Sequence, residues 1–192
     1  FSAREREEAQ EVARSMGLRH VMFETDQMEY EGFVANAGRR CYFCRVDLFS
    51  QLVEMAREHG IPWVVDGTVM DDLLDHRPGL KARNEHEVRS PLVEVGLTKE
   101  EVRQLARERG QPNWDKPSEA CLASRIPWGT LVTPDLLGRI EKAEEYLHER
   151  GFRQVRVRHH GAIARIEVEP REIPRLLEEE VRRGVEEHVR SL

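Results

Sequence analysis

The chain reads as an α/β protein in two units: a parallel sheet with flanking helices over residues 1–115, followed by a smaller α+β domain over 116–192. Three observations carry this reading. Helical and strand-like apolar patterns alternate through the first hundred residues, a continuous apolar run stops abruptly at Asp66-Gly67-Thr68, and two segments of strict alternation follow a helix in the last third.

Ala9, Val12, Ala13 and Met16 follow i, i+3, i+4, i+7 spacing, with Gly17 as a stop, and predict an amphipathic helix. His20-Val21-Met22-Phe23 then has the length and residue types of a short strand. Phe49, Leu52, Val53 and Ala56 repeat the helical spacing up to Gly60, and Ile61-Pro62-Trp63-Val64-Val65 is apolar throughout, as in a strand buried on both faces. Thr98 and Glu101 form a T-x-x-E capping box ahead of Val102, Leu105 and Ala106, and Gly110 ends that helix.

The second unit opens with Thr133-Pro134, a cap followed by proline in the first turn, ahead of Leu136, Ile140, Ala143 and Leu147 and a closing Gly151. Val155 and Val157 alternate with Arg156 and Arg158, and Ala162, Ala164, Ile166 and Val168 alternate with Ile163, Arg165, Glu167 and Glu169. This pattern predicts two strands joined through His159-His160-Gly161. Ile173, Leu176, Leu177 and Val181 predict one last helix.

Composition narrows the function. The 192 residues are 39% hydrophobic and 34% charged, and no apolar run approaches the ~20 residues that cross a bilayer, so no membrane partner is expected. The opening Phe1-Ser2-Ala3-Arg4-Glu5 has neither an initiator Met nor the layout of a signal peptide; it reads as a truncated start of a cytoplasmic protein. A net charge of −6 with basic residues gathered at 153–160 suits a small anionic ligand and disfavours nucleic acid. Cys41, Cys44 and Cys121 are odd in number and sit in a reducing compartment, which points to metal binding or catalysis.

Cys41-Tyr42-Phe43-Cys44 spaces two thiols to chelate one centre or form a redox pair, among Arg39, Arg40 and Arg45. Zinc needs four ligands, and no second C-x-x-C or H-x₃₋₅-H supplies them cleanly. Cys121 lies between Lys116 and Arg125, the electropositive setting of reactive thiolates, yet Ala120, Leu122 and Ala123 equally suit a cysteine packed as a small hydrophobe. Asp71 and Asp72, just past a strand, suit Mg²⁺ beside substrate phosphates, or simply the start of a helix. Arg156 and Arg158 share one side of their strand, as bidentate phosphate or carboxylate ligands or as solvated surface. His159 and His160 point to opposite faces and make a poor chelating pair.

Taken together, Arg40-Cys41-Tyr42-Phe43-Cys44, Asp66-Gly67-Thr68 with Asp71-Asp72, Arg77-Pro78-Gly79, Arg89-Ser90-Pro91-Leu92, Gly96-Leu97-Thr98-Lys99, Trp114-Asp115-Lys116-Pro117, Ala120-Cys121-Leu122-Ala123-Ser124-Arg125-Ile126-Pro127 and Arg156-Val157-Arg158-His159-His160 resemble the LarE-type sulfur transferases, in order along nearly the whole chain. The resemblance implies a PP-loop ATP pyrophosphatase domain of the adenine nucleotide alpha-hydrolase kind followed by a sulfur-transfer domain. It implies ATP and Mg²⁺ as cofactors and a pyridinium-3,5-biscarboxylic acid mononucleotide as substrate. The product is a thiocarboxylate destined for a nickel-pincer cofactor, and the assembly a homo-oligomer, hexameric by family pattern.

By the same resemblance Cys121 and Arg125 are catalytic, and Asp72, Ser124, Glu144, Arg156, Arg158 and Glu167 bind nucleotide or substrate. In one version of the family the cysteine matching Cys121 gives up its own sulfur; in another, three cysteines hold a 4Fe-4S cluster. Cys41, Cys44 and Cys121 match the second by count, and the cluster is the expectation. A tRNA thiolase and a non-catalytic zinc-binding module are the alternatives. The family's S-G-G-x-D-S phosphate loop lies upstream of Phe1, its closing segment is not evident, and Val69 stands where Asn is usual. The chain alone is therefore expected not to adenylate a substrate.

Overall fold

The computed structural model of the chain describes residues 2–75 and 77–192; Phe1, which opens the sequence, and His76 lie outside the described residues. The chain divides into one unit over residues 7–116 and a second over 117–192 that also takes in the residues before Glu7.

In the first unit the described residues form α1 (Ala3–Ser15, whose opening turn is counted with the second unit), α2 (Glu31–Val34), α3 (Arg40–Glu58), α4 (Gly79–Glu85), α5 (Pro91–Glu94) and α6 (Lys99–Glu108). Helix α3 packs on α4 around Phe49, Ala82 and Val88, with Tyr42, Val46, Leu52 and Val64 at the margin. The expected helix over 49–56 therefore begins nine residues earlier, at Arg40, because its apolar row continues upstream through Val46 and Tyr42. Thr98 caps α6 as predicted: its Oγ1 accepts from the Glu101 amide, and Glu101 Oε2 accepts from the Thr98 amide at 2.8 Å.

The strand expectations fare differently. Residues 20–23 form no helix and join no ladder among the described residues. The run at 61–65 makes a single parallel bridge, Val65 to Arg89, in which Arg89 N donates to Val64 O at 3.0 Å and Asp66 N to Arg89 O at 2.9 Å. A strand needs a partner of matching length, and Arg89 is followed at once by Ser90 and Pro91, where α5 begins.

The second unit contains α7 (Pro134–Glu149), β1 (Val155–His160), β2 (Ile163–Val168), α8 (Ile173–Leu176) and α9 (Glu179–Ser191). Pro134 occupies the first turn of α7, and Thr133 Oγ1 accepts from the Leu136 amide at 3.2 Å. Strands β1 and β2 pair antiparallel, Val155 opposite Val168 and His160 opposite Ile163, so the turn is Gly161-Ala162 and both histidines belong to β1. Gly161, at φ +64°, supplies the left-handed backbone that a two-residue hairpin demands. The expected last helix is two: Glu178 is extended (φ −56°, ψ 134°) and caps α9 after α8 has ended. Ala143, Leu147, Phe152, Val155, Val157 and Val185 form the core, closed by Ile166, Val168, Val181 and Val189. None of the helices of the described residues is long and apolar enough to cross a membrane.

Candidate functional site

Cys121 is exposed and caps the 3₁₀ turn Leu122–Arg125, with its carbonyl accepting from Ser124 N at 2.8 Å. Of the neighbours expected to be buried, Ala123 is, Leu122 is half-buried and Ala120 is exposed, so the thiol sits on the surface of a turn anchored from one side.

The anchor is Arg125. Its side chain is 4% exposed and pairs with Glu144, 8% exposed, through two bonds, Nε to Oε1 at 2.8 Å and Nη2 to Oε2 at 3.1 Å. The remaining nitrogen, Nη1, donates to Ala120 O at 2.6 Å and Ser124 Oγ at 3.1 Å, and Glu144 Oε1 also accepts from Val157 N at 2.8 Å. One buried ion pair thus ties the cysteine turn to α7 and to β1. With every polar atom of the pair engaged, Arg125 and Glu144 hold the shape of the turn.

Arg158 extends the network. Its Nη1 donates to Ser124 O at 3.2 Å and its Nε to Glu167 Oε1 at 2.8 Å, and Arg165 reaches the same oxygen at 2.9 Å. The hydrogen bond from Arg158, reinforced by the charges of Arg158 and Arg165, holds the Glu167 carboxyl below its ordinary pKa against the opposing effect of burial. Arg156, two residues back on the same strand, is half-buried, and its side chain makes no ion pair or hydrogen bond among the described residues. It lines an open cleft with Arg125, Glu144, Arg153 and His148.

In the first unit the loop beyond residue 65 is organised by Asp66. Its Oδ1 accepts from Ser90 Oγ at 2.6 Å and Thr68 N at 3.1 Å, and its Oδ2 from Thr68 Oγ1 at 2.7 Å, with Arg45 Nη1 at 3.4 Å. Burial pushes this carboxyl up, but the bonds from Ser90 and Thr68 and the Arg45 charge outweigh it, and the pKa lies below the ordinary value. Asp72 accepts from Val69 N at 3.1 Å and pairs with Arg77 at 2.7 Å, while Asp71 accepts from Lys99 N at 2.8 Å. Arg45, Asp66, Gly67, Thr68, Asp72 and Arg77 line a second, open pocket.

Cys41 and Cys44 lie in the first turns of α3, Cys41 exposed and Cys44 half-buried. The residues between them turn inward: Tyr42 donates to Glu85 on α4 at 2.8 Å, and the Phe43 ring lies on Gly32, where a Cβ would stand 2.5 Å from it. The arginines expected around the thiols are occupied elsewhere, Arg39 over the Tyr42 ring at 5.1 Å and Arg45 over the Phe49 ring at 5.6 Å. Among the described residues no group of three or more His, Cys, Asp or Glu side chains is placed to hold a metal ion.

Of the residues singled out in sequence, the second unit brings Cys121, Ser124, Arg125, Glu144, Arg158 and Glu167 into one network, with Arg156 beside it; Asp72, Cys41 and Cys44 belong to the first unit. Asp66, Arg45, Arg77 and Ser90 were not singled out as site residues. Each lies in or beside a quoted motif, but their association joins positions up to 45 residues apart (Arg45 to Ser90) and leaves no local signal.

No family model matches the chain. It is 42% identical over 175 residues to an uncharacterised protein of Synechocystis, covering 91% of this chain and 65% of that protein. It is 37% identical over 168 residues to the pyridinium-3,5-bisthiocarboxylic acid mononucleotide synthase of Lactiplantibacillus plantarum, covering 88% of this chain and 61% of the synthase. An uncharacterised protein of Methanocaldococcus jannaschii is 31% identical over 142 residues, 74% of this chain and 56% of that protein. The chain therefore spans roughly three-fifths of the length of the curated relatives it matches, and the similarity to the synthase supports the LarE-like reading of the motifs.

Proposed function

We propose that this chain carries the sulfur-transfer part of an ATP-dependent, LarE-type sulfur transferase that converts a carboxylate of pyridinium-3,5-biscarboxylic acid mononucleotide into a thiocarboxylate, in the synthesis of a nickel-pincer cofactor. The observation that carries the reading is the Cys121 turn: an exposed thiol on a turn fixed by a fully engaged buried ion pair, beside a strand whose Arg156 side chain makes no ion pair among the described residues. The 37% identity to the synthase supplies the substrate class.

Adenylation replaces a poor leaving oxygen by AMP, and a thiolate then displaces it at the acyl carbon. In the version written on Cys121 alone, its sulfur forms the bond to the acyl carbon as the bond to AMP breaks. Removal of the Cα proton then expels the sulfur from Cβ, leaving the thiocarboxylate and a dehydroalanine in place of Cys121. Arg156 would hold the phosphate or the second carboxylate of the substrate, which a planar guanidinium recognises through two bonds. Arg125, Glu144 and Arg158 act as positioning residues. Asp72 and Asp71 retain carboxylate lone pairs beside their present partners and would hold a hydrated Mg²⁺ next to the nucleotide phosphates.

A 4Fe-4S cluster requires three thiolates converging on one centre; Cys41 and Cys44 belong to the first unit and Cys121 to the second. The test is made on a longer version carrying the family's phosphate-binding loop, by intact mass before and after turnover alongside iron and acid-labile sulfide analysis. Loss of one H₂S from Cys121 with no iron supports transfer from the cysteine itself. About four irons and four sulfides with Cys121 intact would assign the sulfur to a cluster. Absence of any thiocarboxylate product would overturn the reading as a whole.

A further inference from the structure

We infer that the opening turn of α1 is a strap along the Arg156 cleft, latched through a neutral His148, and that protonation of His148 releases it. Ser2, Arg4 and Glu5 form part of the cleft wall, together with His148 and Arg156. The turn is held by groups of its own unit. Ala3 N donates to Glu141 Oε1 at 2.8 Å, and Arg4 Nη2 donates to Glu119 Oε1 at 2.6 Å and lies 3.2 Å from His148 Nε2.

Two partners fix where the His148 proton sits. Phe152 O, 2.9 Å from Nδ1, can only accept, so Nδ1 carries the hydrogen. The Arg4 guanidinium can only donate, so Nε2 must offer its lone pair. The latched imidazole is thus neutral and in a single tautomer. A proton taken from solvent has one place to go, Nε2, where it removes the acceptor of Arg4 and sets an imidazolium against a guanidinium at 3.2 Å. The latched state therefore binds that proton less readily than the released state, and linkage requires the latch to weaken as pH falls.

The other charges around His148 do not offset this. On its own helix, Glu144 is committed to Arg125 and the Val157 amide, and Glu145 is exposed to water, which screens it. In the 117–120 loop Glu119 is bonded to Arg4, and on α1 Glu5 accepts from Ser2 N at 2.9 Å and Ser2 Oγ at 3.1 Å. Beyond Phe152, Arg153 adds another cation to the same cleft. Carboxylates ordinarily titrate near pH ~4, whereas imidazoles change charge between about pH 5 and 8, so the two kinds of group act in separate ranges.

The inference rests on the reading that gives this cleft to the phosphate or carboxylate of the substrate, and deepens it by making access to Arg156 depend on pH. The strap is measured without thiol, nucleotide or substrate, so the two fail separately.

The test is NMR on the full chain at about pH 7.5 and about pH 5.5. At the higher pH the imidazole nitrogen resonances of His148 show a hydrogen on Nδ1 and none on Nε2. Amide exchange at Ala3, bonded to Glu141, and at Arg6, bonded to Ser2 O, is divided by the free-peptide rate at the same pH and speeds up by about tenfold at the lower pH. Exchange at Val157 stays the same and shows that the unit remains folded. His148→Gln offers Arg4 an amide oxygen that takes up no proton, and its strap exchanges at the same relative rate at both pH values. Wild-type exchange that ignores pH, an equal acceleration in His148→Gln, or a hydrogen on Nε2 at the higher pH each overturns the inference.

Discussion

Replacing Glu144 by alanine removes, in one step, the acceptor for Arg125 Nε, Arg125 Nη2 and Val157 N, at 2.8, 3.1 and 2.8 Å. The loss follows from burial. With the two side chains 4% and 8% exposed, solvent cannot replace the carboxylate, and breaking one half of such a pair costs ~3–5 kcal/mol. Arg125 keeps Ala120 O and Ser124 Oγ through Nη1, which places the charge term near ~3 kcal/mol, and the stranded Val157 amide adds ~1 kcal/mol. The expected loss of about 4 kcal/mol is a large share of the ~5–15 kcal/mol that holds an ordinary domain together. Urea denaturation followed by far-UV circular dichroism, with amide exchange at Val157 as the local probe, measures it. Glu144→Gln retains an acceptor for Val157 and loses less. The double substitution Arg125→Met with Glu144→Leu leaves no orphaned charge and returns toward wild-type stability, while the Cys121 turn loses its anchor and becomes more susceptible to proteolysis. A Glu144→Ala protein within ~1 kcal/mol of wild type refutes the reasoning.

Arg156 and Arg158 share a strand face but differ in partners, so their alanine variants separate: Arg156→Ala leaves the urea midpoint unchanged while weakening binding of the mononucleotide, and Arg158→Ala, freed from Ser124 O and Glu167, costs ~1 kcal/mol in the same titration. Thr98→Ala removes the oxygen that receives the Glu101 amide and lowers stability by ~1 kcal/mol, seen as a lower thermal midpoint. Because the Asp66 carboxyl is held below its ordinary value in the folded chain, its contribution is fully present above pH ~4 and is lost as pH falls through the lower folded value. Asp66→Asn therefore lowers stability at neutral pH and flattens the acid limb of a plot of urea midpoint against pH; an unchanged acid limb would show that Asp66 is not the group responsible.

What the sequence discloses here is what is local. The caps at Thr98 and Thr133 and the alternation of β1 are each specified within a few residues, and each stands where the pattern put it. The break before α9 has no sequence signal, because Leu176, Leu177 and Val181 keep helical spacing across a Glu178 whose extended backbone no side-chain pattern announces. The strand at 61–65 was recognisable as apolar, but pairing is a property of two segments, and the described residues offer it Arg89 alone.

The site divides along the same line. Cys121 and the arginine strand were visible as residue types, yet their roles depend on partners 19 and 9 residues away, Glu144 for Arg125 and Glu167 for Arg158. Those partners distinguish three chemically similar charges. Arg125 is paired and buried, Arg158 shares the Glu167 carboxylate with Arg165, and the Arg156 side chain makes no ion pair among the described residues in a cleft that glutamates also line. A buried charge that is fully bonded resists displacement, because any movement strands it in a medium that cannot solvate it. The network is therefore a stiff support, and the two groups it does not engage are the thiol at the surface of the turn and the Arg156 guanidinium lining the cleft.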